Sequence, residues 1–262
     1  MRARPPAVAG TFYPGSADRL RATVEALLAD VPDASGPAPK ALVAPHAGYV
    51  YSGPIAASAY ARLRPARETI RRVILLGPAH RVWVPGLATS GAPSFETPLG
   101  TIELDRAAID AIERLPQVAR DDRAHAPEHS LEVQLPFLQV VLERFTLVPL
   151  VVGGASAAQV EEVLAALWGG DETLVVVSSD LSHYLPYDVA RELDGATGRA
   201  IVALDAGRVG EDQACGRVPL RGLLDYAVHH RLRAEQLDLR SSGDTAGSKD
   251  EVVGYGAFAF FA

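Results

Sequence analysis

The fold of this chain is constrained most by three short apolar segments that each lead to a histidine. ALVAPHAG contains His46, VILLGPAH ends at His80, and LVVVSSDLSH ends at His183. Continuous apolar segments of this kind are typical of strands that are buried on both faces of a parallel sheet. Because the carboxyl ends of parallel strands meet at one edge of a sheet, we expect these histidines to converge on one site.

Helical segments alternate with these strands. Ser16 is a suitable N-cap for a first helix, in which Leu20, Val24 and Leu28 recur at helical spacing. GPIAASAYARL predicts a helix between the first two strands, and we expect those strands to be adjacent in a β-α-β unit. The stretch PDASGPAP at 32–39 predicts a short surface connection. This alternation predicts an α/β fold with a mostly parallel sheet.

The second half of the chain continues the alternation after an interruption. Residues 86–104 contain Gly, Pro and β-prone residues without helical periodicity, which predicts a hairpin or an edge strand. Leucines at helical spacing predict a helix after His129, in which Pro136 either produces a kink or marks the true start. Further strands are predicted at FTLVPLVVG, TLVVVSSD and VVGYGAFAFF, and further helices at SAAQVEEVLAALW, RELDGATGRAIVALDA and PLRGLLDYAVHHRL. Since no repeat or long linker divides the chain, we expect a single domain over 1–262.

Composition narrows the class of partner. The net charge of -7 and the dispersed arginines are unlike the clustered basic surface of a nucleic-acid-binding protein. No apolar segment approaches the roughly 20 residues of a membrane span. The first residues lack the apolar core of a secretory signal, and the single cysteine excludes an internal disulfide. We therefore expect a cytoplasmic protein without nucleic-acid or membrane partners.

The histidine-containing loops carry the candidate chemistry. His46 in PHAG and His80 in GPAH have the Gly and Pro neighbours that hold an imidazole beside open space, although a structural or merely exposed histidine is an alternative. In SSDLSH, the three-residue spacing of Asp180 and His183 can bring carboxylate and imidazole together on one turn. This pair could supply a third metal ligand together with the carboxylate that orients it, or it could supply a general base. A simple helix N-cap is the alternative for Asp180.

Two further segments could complete a site. Glu128 and His129 stand at a predicted helix start, where they either line a pocket or cap the helix. Cys215 beside two imidazoles would form a ligand set for zinc, iron or copper, whereas most free cysteines are small buried hydrophobes. Because Gly216 and a helix that opens near Pro219 follow it, we expect a lowered thiol pKa. The remaining histidines are expected to be incidental, with one in a polar loop and two on a solvated helix face: His125, His229 and His230.

These motifs, taken together and in order, resemble the Memo family. The resemblance spans nearly the whole chain. The matching segments are PAVAGTFYPG, APHAGYVYSG, LLGPAH, ETPLG, EHSLEVQLPFL, VVSSDLSHY, ACGRVPL and SGDTAGSKDEVVGYGAFAF.

The resemblance implies a three-layer αβα fold similar to the class III extradiol (LigB-like) dioxygenases. It places the family's metal ligands on His46, His80 and Cys215, a catalytic base on His183 with Asp180 beside it, and a pocket tyrosine on Tyr51. It implies iron or copper, with zinc as a further option, and a small-molecule or peptide ligand. It also implies AMMECR1-like and radical SAM partner proteins. In the dioxygenases the third iron ligand is a carboxylate, and Cys215 stands in its place, which argues against ring cleavage. A metal-dependent oxidoreductase, a metal-handling protein and a binding module are the alternatives that remain.

Overall fold

The structure is a computed structural model that describes residues 2–32 and 36–262. The predicted connection at 32–39 therefore includes three residues, 33–35, that lie outside the described residues. The strands are β1 (Ala41–Ala44), β2 (Arg72–Pro78), β3 (Leu87–Thr89), β4 (Ser94–Thr97), β5 (Gly100–Glu103), β6 (Val118–Arg120), β7 (Thr146–Val152), β8 (Thr173–Ser178), β9 (His183–Leu185), β10 (Arg233–Ser241) and β11 (Val252–Phe261).

Helices flank the sheet in a three-layer α/β arrangement. The α-helices are α1 (Ala17–Ala29), α2 (Tyr49–Tyr60), α3 (Arg106–Ile112), α4 (Asp122–His125), α5 (Leu135–Val141), α6 (Ala157–Leu167), α7 (Tyr187–Val202) and α8 (Arg217–His229). α1, α2 and α5 pack together, and α6 packs on α8. Within the described residues, no helix combines the length and the apolar character that a bilayer crossing requires.

The central sheet is mixed and has four parallel strands at its middle. Among the described residues its order is β10-β11-β1-β8-β2-β7-β3-β6, with β9 beside β11. β1, β8, β2 and β7 run parallel, whereas β11 and β3 are antiparallel to β1 and β7. Every residue of β1 and β8 is buried, which explains their continuous apolar sequences. Strands β4 and β5 form the hairpin expected within 86–104.

The strands that lead to the three histidines meet at one edge, as predicted. Ala44 at the end of β1 lies opposite Ser178 of β8, and Leu76 of β2 lies opposite Val177. The expected adjacency of β1 and β2 is wrong, because β8 lies between them. The connection through α2 leaves a gap of one strand, and a later segment of the chain fills it.

Local boundaries also differ from the sequence expectation. α2 begins at Tyr49, earlier than Gly53, so only a short loop separates His46 from a helix. Pro136 lies in the first turn of α5 and marks its start, with no kink needed. The expected polar loop at His125 is wrong: this residue ends α4, is buried, and its Nε2 lies 2.9 Å from the Ala88 carbonyl.

A buried ion pair ties the N-terminal segment to the domain. Arg4 Nη1 lies 2.5 Å from Glu132 Oε2, and both side chains are almost completely buried. The same carboxylate accepts hydrogen bonds from the backbone amides of Ala7 and Val8 and from the Tyr13 hydroxyl. Glu132 therefore has four donors, which compensates for the removal of its charge from water.

We predict that Glu132→Gln destabilises the fold strongly. It leaves the Arg4 guanidinium buried without its counter-charge, at a cost of about 3–5 kcal/mol. Urea denaturation measures the free energy of unfolding. The control is Arg123→Ala, which removes a side chain that is 85% exposed and should leave this free energy almost unchanged. Equal losses in the two variants would contradict the assignment.

Candidate metal centre

Three side chains that are far apart in the sequence lie together at the carboxyl edge of the sheet. His46 follows β1, His80 follows β2, and Cys215 precedes α8. One ligand atom from each lies within 4.8 Å of the others. His46 Nε2 lies 3.4 Å from Cys215 Sγ, and the rings of His46 and His80 meet edge to face at 5.1 Å. This arrangement can hold a metal ion.

His46 is buried and electrically neutral. Burial, together with the neighbouring His80 and His183, lowers the pKa of its imidazole to about 3. Its backbone N–H donates to Asp180 Oδ1 at 2.7 Å, and its Nδ1 lies 2.8 Å from Ser178 Oγ. The ring is therefore held by β8 on one side while its Nε2 faces the cysteine.

His80 is half-exposed and is held by Glu128. The backbone N–H of His80 donates to Glu128 Oε2 at 2.7 Å, and its Nδ1 lies 3.0 Å from Oε1. Burial raises the pKa of Glu128, but hydrogen bonds from His80 and Ser130 outweigh burial and bring that pKa down to about 2. Glu128 is therefore an ionised carboxylate, and a carboxylate in this position orients an imidazole and raises its basicity.

Cys215 contradicts the expected lowering of its thiol pKa. Burial and the nearby Asp180 carboxylate raise the pKa of Cys215 to about 12. The backbone N–H of Asp180 donates to Sγ at 3.3 Å, but this contact does not offset burial. The stabilisation of the thiolate that the N-terminus of α8 was expected to provide is smaller than the cost of removing the thiolate from water. A bound cation would supply the positive charge that the thiolate needs.

Asp180 and His183 do not form the expected pair. Asp180 does not cap a helix, because β9 follows it. Its carboxylate bonds to the His46 amide, whereas His183 Nδ1 lies 2.8 Å from the Leu181 carbonyl. Residues 181 and 182 lie in neither a helix nor a turn, and β9 begins at His183, so the three-residue spacing does not form one turn. Burial raises the pKa of Asp180, while the His46 amide and the nearby His183 act in the opposite direction.

The remaining predicted site residues border the cluster to different degrees. The His129 ring stacks on His80 with centroids 4.9 Å apart, and it contacts the Phe12 ring at a tilt with centroids 4.8 Å apart. Its Nδ1 is buried without a hydrogen bond, although it lies 3.4 Å from Glu128 Oε1. Burial lowers the pKa of His129 to about 4. Tyr51 lies in the first turn of α2 and is 40% exposed.

Three buried polar residues near the cluster were missed by sequence reasoning. Ser178 Oγ contacts His46, and Gln134 Nε2 donates to that hydroxyl at 2.8 Å. Tyr255 lies on β11, where burial and the Asp180 charge raise its pKa. A single glutamine within the apolar run VQLPFL was the available signal for Gln134. The other two residues had no sequence signal beyond their polarity.

The donor chemistry fits a transition metal. Two imidazoles and a thiol make a nitrogen and sulfur set suited to zinc, iron or copper. His80, Glu128 and His129 form a second close group, but Glu128 Oε1 already faces three protein N–H groups. We therefore assign Glu128 as an orienting carboxylate.

A cavity of about 360 Å³ beside Lys40 lies at the opposite ends of β1 and β8, away from these donors.

Comparisons with known proteins agree with this architecture. The family described as Memo-like protein matches residues 4–259. A MEMO1 family protein from Ignicoccus hospitalis is 38% identical, over 99% of this chain and 99% of that protein. MEMO1 family proteins from Aquifex aeolicus and Methanopyrus kandleri are 36% and 37% identical, and in both cases at least 97% of each chain is covered.

We predict slow alkylation of Cys215 in the metal-free protein. With its pKa near 12, compared with an ordinary value of 9.0, the thiolate fraction at neutral pH is small. Iodoacetamide should react about 10²–10³-fold more slowly than with the urea-unfolded chain, whose only cysteine is the same residue. The rate should rise with pH beyond 9, and Asp180→Asn should accelerate it. Equal rates for folded and unfolded protein would refute the assignment.

Proposed function

The chain belongs to the Memo-like protein family, and on this premise we propose that it is a metal-binding protein with His46, His80 and Cys215 as ligands. The observation that carries the proposal is the convergence of these three donors from three separate segments. The buried, neutral His46 beside the Cys215 thiol is a costly arrangement without such a role. A shared metal ion gives all three groups a common function.

Iron or copper is the favoured ion, with zinc as the third option. A single thiolate with two imidazoles leaves at least one coordination position for water or substrate. When bound, such a metal supplies Lewis-acid or one-electron redox chemistry to a molecule in that position. We therefore favour a metal-dependent oxidoreductase or a metal-handling protein that acts on a small molecule.

The protein's own residues would position that molecule and move a proton. His183 is exposed at the edge of the site, and its Nδ1 bonds to a carbonyl, which leaves Nε2 free to accept a proton. Asp180 Oδ2 lies 3.9 Å from His46 Nε2, beside the proposed ligands. We assign His129 and Tyr51 to the walls of the pocket, with Glu128 behind His80. The cysteine ligand separates this set from the carboxylate-containing iron site of ring-cleaving dioxygenases, so we do not propose ring cleavage.

A binding module is the second candidate. Exposed aromatic side chains follow His80 and His183 in the sequence. Trp83 is 74% exposed, and Tyr184 is 71% exposed. Exposed aromatic residues of this kind are common in protein–protein interfaces. A peptide ligand, or an AMMECR1-like or radical SAM protein, would then be the partner, and the bound metal would only stabilise the fold.

We predict that anaerobically purified protein takes up about one metal ion per chain after reconstitution with Fe²⁺, Cu⁺ or Zn²⁺. Cys215→Ala and His80→Ala should lose most of this metal, because each removes one of three ligands. His229→Ala is the control, since this exposed histidine on α8 pairs with Glu161 away from the cluster. Metal analysis after desalting measures the outcome. Metal-free wild type, or full loading of Cys215→Ala, would overturn the site.

A second prediction separates the two candidate functions. Iron-loaded wild type, supplied with ascorbate as electron donor, should consume dioxygen faster than Cys215→Ala with the same total iron. His183→Ala should retain the metal but lose most of that rate, because it removes the proposed proton acceptor. Oxygen-electrode measurements give the rates. Equal rates in all three proteins would contradict the redox role and favour the binding module.

A further inference from the structure

The three histidines at the edge of the sheet share one hydrogen-bonding pattern. In each, the Nδ1 atom contacts an oxygen of the protein: Ser178 Oγ for His46, Glu128 Oε1 for His80, and the Leu181 carbonyl for His183. A neutral imidazole carries one hydrogen, so the nitrogen that donates determines which nitrogen keeps its lone pair. The acceptors therefore decide which atom each ring presents to the site.

For His80 and His183 the assignment follows from the acceptor alone. The ionised Glu128 carboxylate and the Leu181 carbonyl carry no hydrogen to donate. Each ring must therefore hold its hydrogen on Nδ1. In the neutral form of either ring, Nε2 is therefore unprotonated.

For His46 the partner is a hydroxyl, which could either donate or accept. The single hydrogen of Ser178 is directed to the Ser130 carbonyl at 2.6 Å. Gln134 Nε2 donates to the same hydroxyl at 2.8 Å and occupies one acceptor position. Ser178 Oγ has no second hydrogen to donate and can only accept from His46. His46 must therefore donate through Nδ1.

The orientation of the Gln134 amide is in turn determined by its surroundings. Tyr60 Oη donates to Gln134 Oε1 at 2.7 Å, and Gln134 Nε2 donates to the Pro45 carbonyl at 2.9 Å. A flipped amide would place its oxygen against both the Pro45 carbonyl and the Ser178 hydroxyl. Tyr60 is fully buried and stacks on Phe137 at 5.1 Å, so it has little freedom to follow such a flip.

We infer that Gln134 and Ser178 are positioning residues that hold His46 in the Nδ1–H tautomer, so that its Nε2 lone pair faces Cys215. The contacts of Gln134 run from Tyr60 on α2 to Ser178 on β8, which joins the helix layer to the site. The part of this inference that concerns metal affinity rests on the proposed function. The tautomer itself does not depend on a bound metal.

The test is long-range ¹H–¹⁵N correlation NMR of the ¹⁵N-labelled, metal-free protein at about pH 8, where an ordinary imidazole is neutral. We expect His46, His80 and His183 to show a protonated Nδ1 and an unprotonated Nε2. His125 provides an internal reference for the opposite tautomer, because its Nε2 bonds to the Ala88 carbonyl. An Nε2-protonated His46 in the wild-type protein would overturn the inference.

Variants extend the test to the positioning residues. Ser178→Ala removes the acceptor, so His46 should become a mixture of tautomers and the affinity for Zn²⁺ should fall by roughly 10–100-fold. Tyr60→Phe keeps the ring but frees the Gln134 amide, and a smaller change in the same direction is expected. Ser58→Ala, which removes a hydroxyl on α2 that contacts Asp238, should change neither quantity.

The outcomes separate this inference from the proposed function. A wild-type protein with the Nδ1–H tautomer but no Zn²⁺ affinity would support the positioning network and contradict the metal-binding proposal. Unchanged tautomers and unchanged Zn²⁺ affinity in both Ser178→Ala and Tyr60→Phe would overturn the positioning role. If Ser178→Ala does not fold, the Tyr60→Phe spectrum alone decides, because that variant leaves Ser178 in place.

Discussion

The candidate site depends on the parallel pairing of β8 between β1 and β2. This pairing sets Ala44 opposite Ser178, and the loops that carry His46 and Asp180 therefore leave the sheet side by side. A shift of β8 by one residue would turn the Ser178 hydroxyl to the opposite face, away from His46. Because both faces of these strands are buried and close-packed, such a shift would misplace most of their side chains and is opposed by packing.

Buried carboxylates hold the loops around this edge where regular secondary structure ends. Glu132 accepts the amides of the N-terminal segment, Glu128 accepts the amide of His80, and Asp180 accepts the amide of His46. A buried backbone N–H outside a helix or strand needs such a partner. Asp180 also connects two site segments, because its own amide donates to the Cys215 sulfur. Hydrogen bonds between segments that are distant in the sequence therefore hold the site loops in place.

The sequence predicted those parts of the fold that depend on local pattern. The apolar strands, most helices and the convergence of His46 and His80 followed from periodicity and from the geometry of parallel sheets. The insertion of β8 and the true partner of Asp180 could not be predicted, because both depend on which distant segments meet. The pKa of Cys215 was predicted in the wrong direction for the same reason: burial and a neighbouring carboxylate outweigh the effect of the helix that follows.

X-ray absorption at the zinc edge of the Zn²⁺-loaded protein tests the central claim most directly. The account predicts a first coordination shell with one sulfur at about 2.3 Å and imidazole nitrogens at about 2.0–2.1 Å. The sulfur contribution should disappear in Cys215→Ala, since the chain has no other cysteine. A wild-type spectrum that contains only nitrogen and oxygen ligands would contradict the claim that Cys215, together with His46 and His80, binds a metal.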